Sequence, residues 1–174
     1  MTTKPLLLAA TVLLALSLSA CAGAATPAAS SPSATSEDSD PAACAGVTVI
    51  VDASAIDGDS SETCVDADAA IGAADALVAA DITTEGTDEY GDQIVCRVNG
   101  QPAADLALPA EDGSAYYEEC ASMPAAFAYW SLWVQPKKGE WGYAQEGLST
   151  LQLQPGERLE LLFTLNGEPA EPAA

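Results

Sequence analysis

Leu18-Ser19-Ala20-Cys21 closes an apolar run, 6–16, that follows a single basic residue, Lys4. A basic start, an apolar stretch too short to span a bilayer, and small residues ahead of a cysteine together predict a secretory signal of the lipobox kind, cleaved just before Cys21. This boundary constrains the fold first. Residues 1–20 drop out of it, and whatever folds after Cys21 folds outside the cytoplasm.

The signal resembles those of bacterial lipoproteins, which implies that Cys21 is the lipid attachment site. Two or three acyl chains, at about 0.8 kcal/mol for each buried CH₂, then hold the chain on the outer face of the cytoplasmic membrane. Residues 22–43 are Ala, Ser, Thr and Pro with one glycine, Gly23, an acidic patch, Glu37, Asp38 and Asp40, and no large apolar side chain. Such a segment cannot bury enough surface to order itself and is expected to be a disordered tether with a reach of about 25 Å. Residues 44–166 are expected to form one small domain, and 167–174 a disordered tail.

Cys44, Cys64, Cys96 and Cys120 fall in that domain. An even count in an oxidising compartment predicts two disulfides, with three connectivities open. A zinc site is disfavoured, because the cysteines form no Cys-x-x-Cys pair and the chain has no histidine. The same lack removes Ser-His-Asp and Cys-His hydrolase sites. With 26 Asp and Glu against five Lys and Arg, one of which leaves with the signal, the surface repels nucleic acid and anionic lipid.

Val47-Thr48-Val49-Ile50-Val51-Asp52 is β-branched in all but its last position and predicts a strand with Val47, Val49 and Val51 on one face. Turn residues at 57–61 lead to a short second strand, 62–65, returning beside the first. If the two pair, Cys44 and Cys64 meet at one end of the hairpin, which favours a Cys44–Cys64 disulfide. An amphipathic helix is expected over 67–80, capped by Asp66 or Asp68, with Ala67, Ala70, Ile71, Ala74, Leu77 and Val78 on its buried side. A third strand over 93–99 ends in the hairpin dipeptide Asn99-Gly100, and strands over 148–154 and 157–165 flank Pro155-Gly156. The order predicts an α+β domain, one helix packed on a mixed sheet, compatible with a β-grasp arrangement.

Ile94-Val95-Cys96-Arg97-Val98-Asn99-Gly100-Gln101-Pro102, Cys120, Ala128-Tyr129-Trp130-Ser131-Leu132-Trp133, Trp141-Gly142-Tyr143 and Leu153-Gln154-Pro155-Gly156 carry a wider resemblance. With the first strand and the helix, they make the chain similar to DUF4430-type domains, the module that also forms the C-terminal β-rich domain of transcobalamin-like vitamin B12 carriers. The form it resembles most is common in exported actinobacterial proteins, which implies a high-GC Gram-positive source. It pairs the cysteine before the Arg-x-x-Gly turn with one shortly before the Tyr-Trp block, which implies Cys96–Cys120. In the carriers the module is the smaller half of a corrinoid site whose other half is an α/α toroid. The resemblance therefore implies a non-enzymatic ligand-binding module for a corrinoid or similar small molecule, with a toroid-domain or transporter protein as partner; the alternative is a protein-interaction or envelope-structural module without a small ligand.

Tyr129, Trp130, Trp133, Trp141 and Tyr143 crowd into 15 positions and are the candidate ligand-binding surface, since aromatic rings offer wide apolar area with a polar edge. Filling the core is the competing role for Trp130, Trp133 and Trp141. Lys137 and Lys138, beside Trp141, read as an exposed hairpin tip. Asp57, Asp59 and Glu62 do not match the spacing of a calcium loop, and the Asp88-Glu89 pair is commonplace in so acidic a chain. No phosphate loop or nucleophile elbow is present, so no catalytic residue, cofactor or metal ligand is assigned.

Overall fold

The computed structural model describes residues 44–173; the signal, Cys21 and the tether over 22–43 lie outside the described residues. A five-stranded mixed sheet forms the centre, in the order β2-β1-β11-β8-β9, with β1 Val47–Asp52, β2 Ser61–Val65, β8 Ala128–Gln135, β9 Gly142–Tyr143 and β11 Arg158–Leu165. β1 and β11, the first and last strands, run parallel side by side, from Thr48 opposite Arg158 to Asp52 opposite Leu162. The other pairings in this sheet are antiparallel. A strand flanked on both sides and covered on both faces reads as a nearly continuous apolar run, and β11, Arg-Leu-Glu-Leu-Leu-Phe-Thr-Leu, is buried at its six inner positions.

Smaller pairs surround the sheet. β3 Ile71–Gly72 pairs with β10 Gln152–Leu153, β4 Thr84–Thr87 with β5 Gly91–Val98, and β6 Leu108–Pro109 with β7 Ala115–Tyr116. The one α-helix among the described residues, α1 Ala73–Ala79, sets Ala73, Ala76 and Leu77 against Val47, Val49, Val51, Leu159 and Leu161. A second apolar cluster, Leu108, Ala128 and Phe163, fills the space between the sheet and the long excursion over 99–127. Fold class α+β and both expected disulfides, Cys44–Cys64 and Cys96–Cys120, are present. Among the described residues no helix is long and apolar enough to cross a membrane.

The helix departs from expectation in length and rotation. Ile71 and Gly72 are taken into strand pairing by Leu153 and Gln152, so α1 starts at Ala73, six residues later than periodicity predicts. Its first amide donates to the Leu151 carbonyl at 2.8 Å, and neither Asp66 nor Asp68 caps it. That anchoring turns residues 73, 76 and 77 inward, leaving Ala74 exposed and Val78 77% exposed. Strand pairing over 148–154 shrinks likewise to Gln152–Leu153, the two residues with a partner. The longest departure is β8, eight residues of central strand in the aromatic block, to which periodicity assigned no element.

The two turn dipeptides behave as their chemistry dictates. Asn99 and Gly100 both have positive φ, 49° and 74°, and Val98 and Gln101 exchange both backbone hydrogen bonds across them. Pro155-Gly156 places glycine at φ 91° in a turn closed by the Glu157 amide donating to the Gln154 carbonyl.

Candidate functional site

Register divides the aromatic block between the two faces of the sheet. Ala128, Trp130, Leu132 and Val134 lie opposite Leu165, Phe163, Leu161 and Leu159 and face the core. Tyr129, Ser131 and Trp133 lie opposite Thr164, Leu162 and Glu160 and face the other way. The five candidate aromatics thus do not form one surface.

Trp133 is buried, donates its Nε1–H to Ser131 Oγ at 2.9 Å, and stacks on Tyr143 with ring centroids 3.9 Å apart. Tyr143 is 53% exposed; burial and the neighbouring Tyr129 phenol push its hydroxyl above the ordinary tyrosine range. Trp141 is half-buried with the Arg158 guanidinium 5.1 Å from its ring centroid, a cation–π arrangement, and its Nε1 has no hydrogen-bond partner among the described residues. Arg158 also donates to Gln135 Oε1 and pairs with Glu62 at 3.6 Å. Lys137 and Lys138 stand at the exposed tip between β8 and β9.

Glu160 lies on this second face, 4% exposed, between Ile50 and Trp133. Burial, and then the negative charge of Asp52, push its carboxyl up to about 7; Arg158 acts against this and Glu62 with it. Nothing in the sequence marked Glu160 beyond its being an acidic residue in an apolar strand. Asp52 goes the other way. Burial opposes its charge, yet hydrogen bonds from Ser54 and Ser60 outweigh that and hold it below the ordinary carboxylate range.

On the core side an apolar pocket of about 230 Å³ opens between β5 and β8. Ile94, Val95, Trp130, Leu132, Leu148 and Leu161 contribute its apolar lining, and Asp92, Gln93, Met123 and Glu146 line it with exposed side chains. The Trp130 ring is fixed there by two contacts. Its Nε1–H donates to the Gln101 carbonyl at 3.0 Å and its ring meets Phe163 edge-on at 5.2 Å. Of the five candidate aromatics, Trp130 lines this pocket, Tyr129 borders it along β8 with its phenol turned to the other face beside Tyr143, and Trp133, Trp141 and Tyr143 do not reach it. Sequence reasoning missed Asp92, Met123, Glu146 and Leu148, which come from three separate loops and strand ends and share no local pattern.

The pocket wall is stapled from outside. The Cys96–Cys120 disulfide ties the excursion to β5, and the buried Arg97 beside it donates to the Pro102 carbonyl, to Glu85 Oε2 at 2.9 Å and to the Glu118 carbonyl. Glu118, also buried, accepts from the Tyr116 hydroxyl at 2.8 Å and the Cys120 amide at 2.6 Å. Burial and this carboxylate keep the Tyr116 hydroxyl protonated, its pKa pushed up to about 12. A buried guanidinium with such partners is a satisfied structural charge. Asp88 and Glu89 serve the same end of the molecule, their amides donating to the Cys120 and Ala121 carbonyls. Among the described residues, Glu85, Cys96 and Cys120 are the one trio close enough to share a metal ion, but the two sulfurs are bonded to each other and offer no thiolate.

No family model, curated protein or solved structure matches this chain.

Proposed function

We propose that the protein is a lipid-anchored, non-enzymatic binding domain on the outer face of the cytoplasmic membrane, which holds a small molecule for uptake. The observation that carries this reading is the apolar pocket between β5 and β8, walled by Trp130 and held open by a disulfide and a satisfied Arg97. A rigid, mostly apolar concavity with a few polar groups at its exposed side is what small-molecule sites share. The lipobox at Leu18-Ser19-Ala20-Cys21 supports the anchor. The parallel pairing of first and last strands, with a helix across one face, supports the β-grasp reading and with it the likeness to DUF4430-type domains.

That likeness points to a corrinoid or a similar small molecule as cargo. At about 230 Å³ the pocket is below the range of about 300–1,000 Å³ usual for drug-sized ligands. A corrinoid would enter it by one appendage only, with a toroid-domain or transporter protein holding the rest. The stacked Trp133–Tyr143 pair, with Tyr143 exposed and Arg158 lying over the Trp141 ring, favours a second reading, a protein-docking module without a small ligand.

Membrane fractionation of Cys21→Ser, with calorimetry of the full-length protein against cobalamin and cobinamide, tests the first reading. It expects Cys21→Ser to leave the membrane fraction, and saturable heat that Trp130→Leu abolishes and Tyr143→Ala preserves. Unchanged fractionation removes the anchor. Heat lost in Tyr143→Ala instead moves the site to the stacked face.

A further inference from the structure

We propose that the pocket between β5 and β8 takes a small organic cation, its aromatic or aliphatic body in the cavity and its charged head among the exposed carboxylates Asp92 and Glu146. This deepens the ligand-binding reading above and rests on it.

Size sets the body. A cavity of about 150 Å³ lined by apolar side chains holds a benzene ring, so about 230 Å³ holds a ring with a small substituent, or a branched chain, of about ten heavy atoms. Leu132, Leu148 and Leu161 offer such a body apolar surface and no hydrogen-bonding side chain, so a polar interior group would lose its water without compensation.

Charge sets the head. Asp92 and Glu146 both line the pocket, both are exposed, and no Lys or Arg lines it with them. The two salt bridges among the described residues use Glu85 and Glu62, so neither pocket carboxylate has a cation of its own. Trp130 adds aromatic surface, which attracts a cation through its ring quadrupole. The chain as a whole carries a formal charge of −21, so the long-range field draws cations in and turns anions away. A carboxylate or phosphate ligand would meet repulsion at the pocket and at a distance.

Full-length protein in phosphatidylcholine vesicles is titrated at low salt with benzyltrimethylammonium, benzyl alcohol and benzoate, with protein-free vesicles as the blank and tryptophan fluorescence as a second readout. The cation is expected to saturate, the alcohol to bind about tenfold more weakly, and benzoate not to bind. Asp92→Asn combined with Glu146→Gln, both at exposed positions that leave the core intact, is expected to weaken the cation about tenfold and leave the alcohol unchanged. Raising salt from about 20 mM to about 500 mM should do the same. Equal binding of cation and alcohol, stronger binding of benzoate, or cation binding indifferent to the double substitution overturns the cation and leaves a neutral-ligand pocket standing. Binding of none of the three overturns the pocket as a site for a small organic cation and leaves the wider ligand-binding reading to the cobalamin and cobinamide titration.

Discussion

The two faces of the central sheet are built on different principles. On the core face β1, β11 and β8 present Val47, Val49, Val51, Leu159, Leu161, Phe163, Trp130 and Leu132, hydrocarbon throughout apart from one indole N–H that finds a carbonyl. On the other face the same strands present Asp52, Arg158, Glu160, Ser131 and Trp133. The core face holds its covering elements by area removed from water, which is non-directional and tolerant of pH. The second face also buries Leu162, but adds stacking, a cation–π contact and a buried carboxyl, each dependent on geometry or charge. A sheet sealed on one side and responsive on the other confines its sensitivity to solution conditions to one face.

Three variants would break or sharpen that contrast. Leu159→Ala, at a position with no exposure, should cost about 2–5 kcal/mol in urea unfolding, much the same at every pH between 5 and 8. A strong pH dependence of that cost would mean that the faces are not separable. Removing Cys96–Cys120 by paired Cys→Ala changes should cost about 3 kcal/mol, the value for opening a loop of about 25 residues. It should also loosen the pocket wall, seen as a shift in Trp130 emission; a loss below about 1 kcal/mol would assign the stapling to Arg97 and Glu118 alone.

Glu160→Gln is the smallest in size and the most discriminating. The folded carboxyl, at about 7, holds its proton more tightly than the unfolded one, near 4.5, so stability falls as pH rises through that window and is level above it. The variant should therefore match the parent at about pH 4 and exceed it by about 1–3 kcal/mol at about pH 8. An unchanged slope between those limits would place the titration elsewhere on the face.

Local chemistry made the frame readable. β1 follows from an unbroken β-branched run, the Asn99-Gly100 and Pro155-Gly156 turns from residues that tolerate positive φ, and the Cys44–Cys64 bridge from the hairpin that brings its ends together. The failures share a cause. The helix lost its first six residues because Leu153 and Gln152, some 80 residues away, pair with Ile71 and Gly72. β8 read as an aromatic patch because both of its faces carry large side chains, and two-sided burial hides the alternation that marks a strand. The pocket was invisible for the same reason, as its walls meet only after β5, β8 and the 146–148 turn are assembled.

The adjacency of β1 and β11 also governs the order in which the molecule can be made. β11, the last of the described strands, sits between β1 and β8, so the β1–β2 and β8–β9 pairs are not joined until residues 158–165 have arrived. A growing or translocating chain can close the β1–β2 hairpin and its Cys44–Cys64 bridge early, since both are local. The sheet itself must wait. The β1–β2 hairpin is thus a local, early unit, and the central sheet closes around it as a single late step.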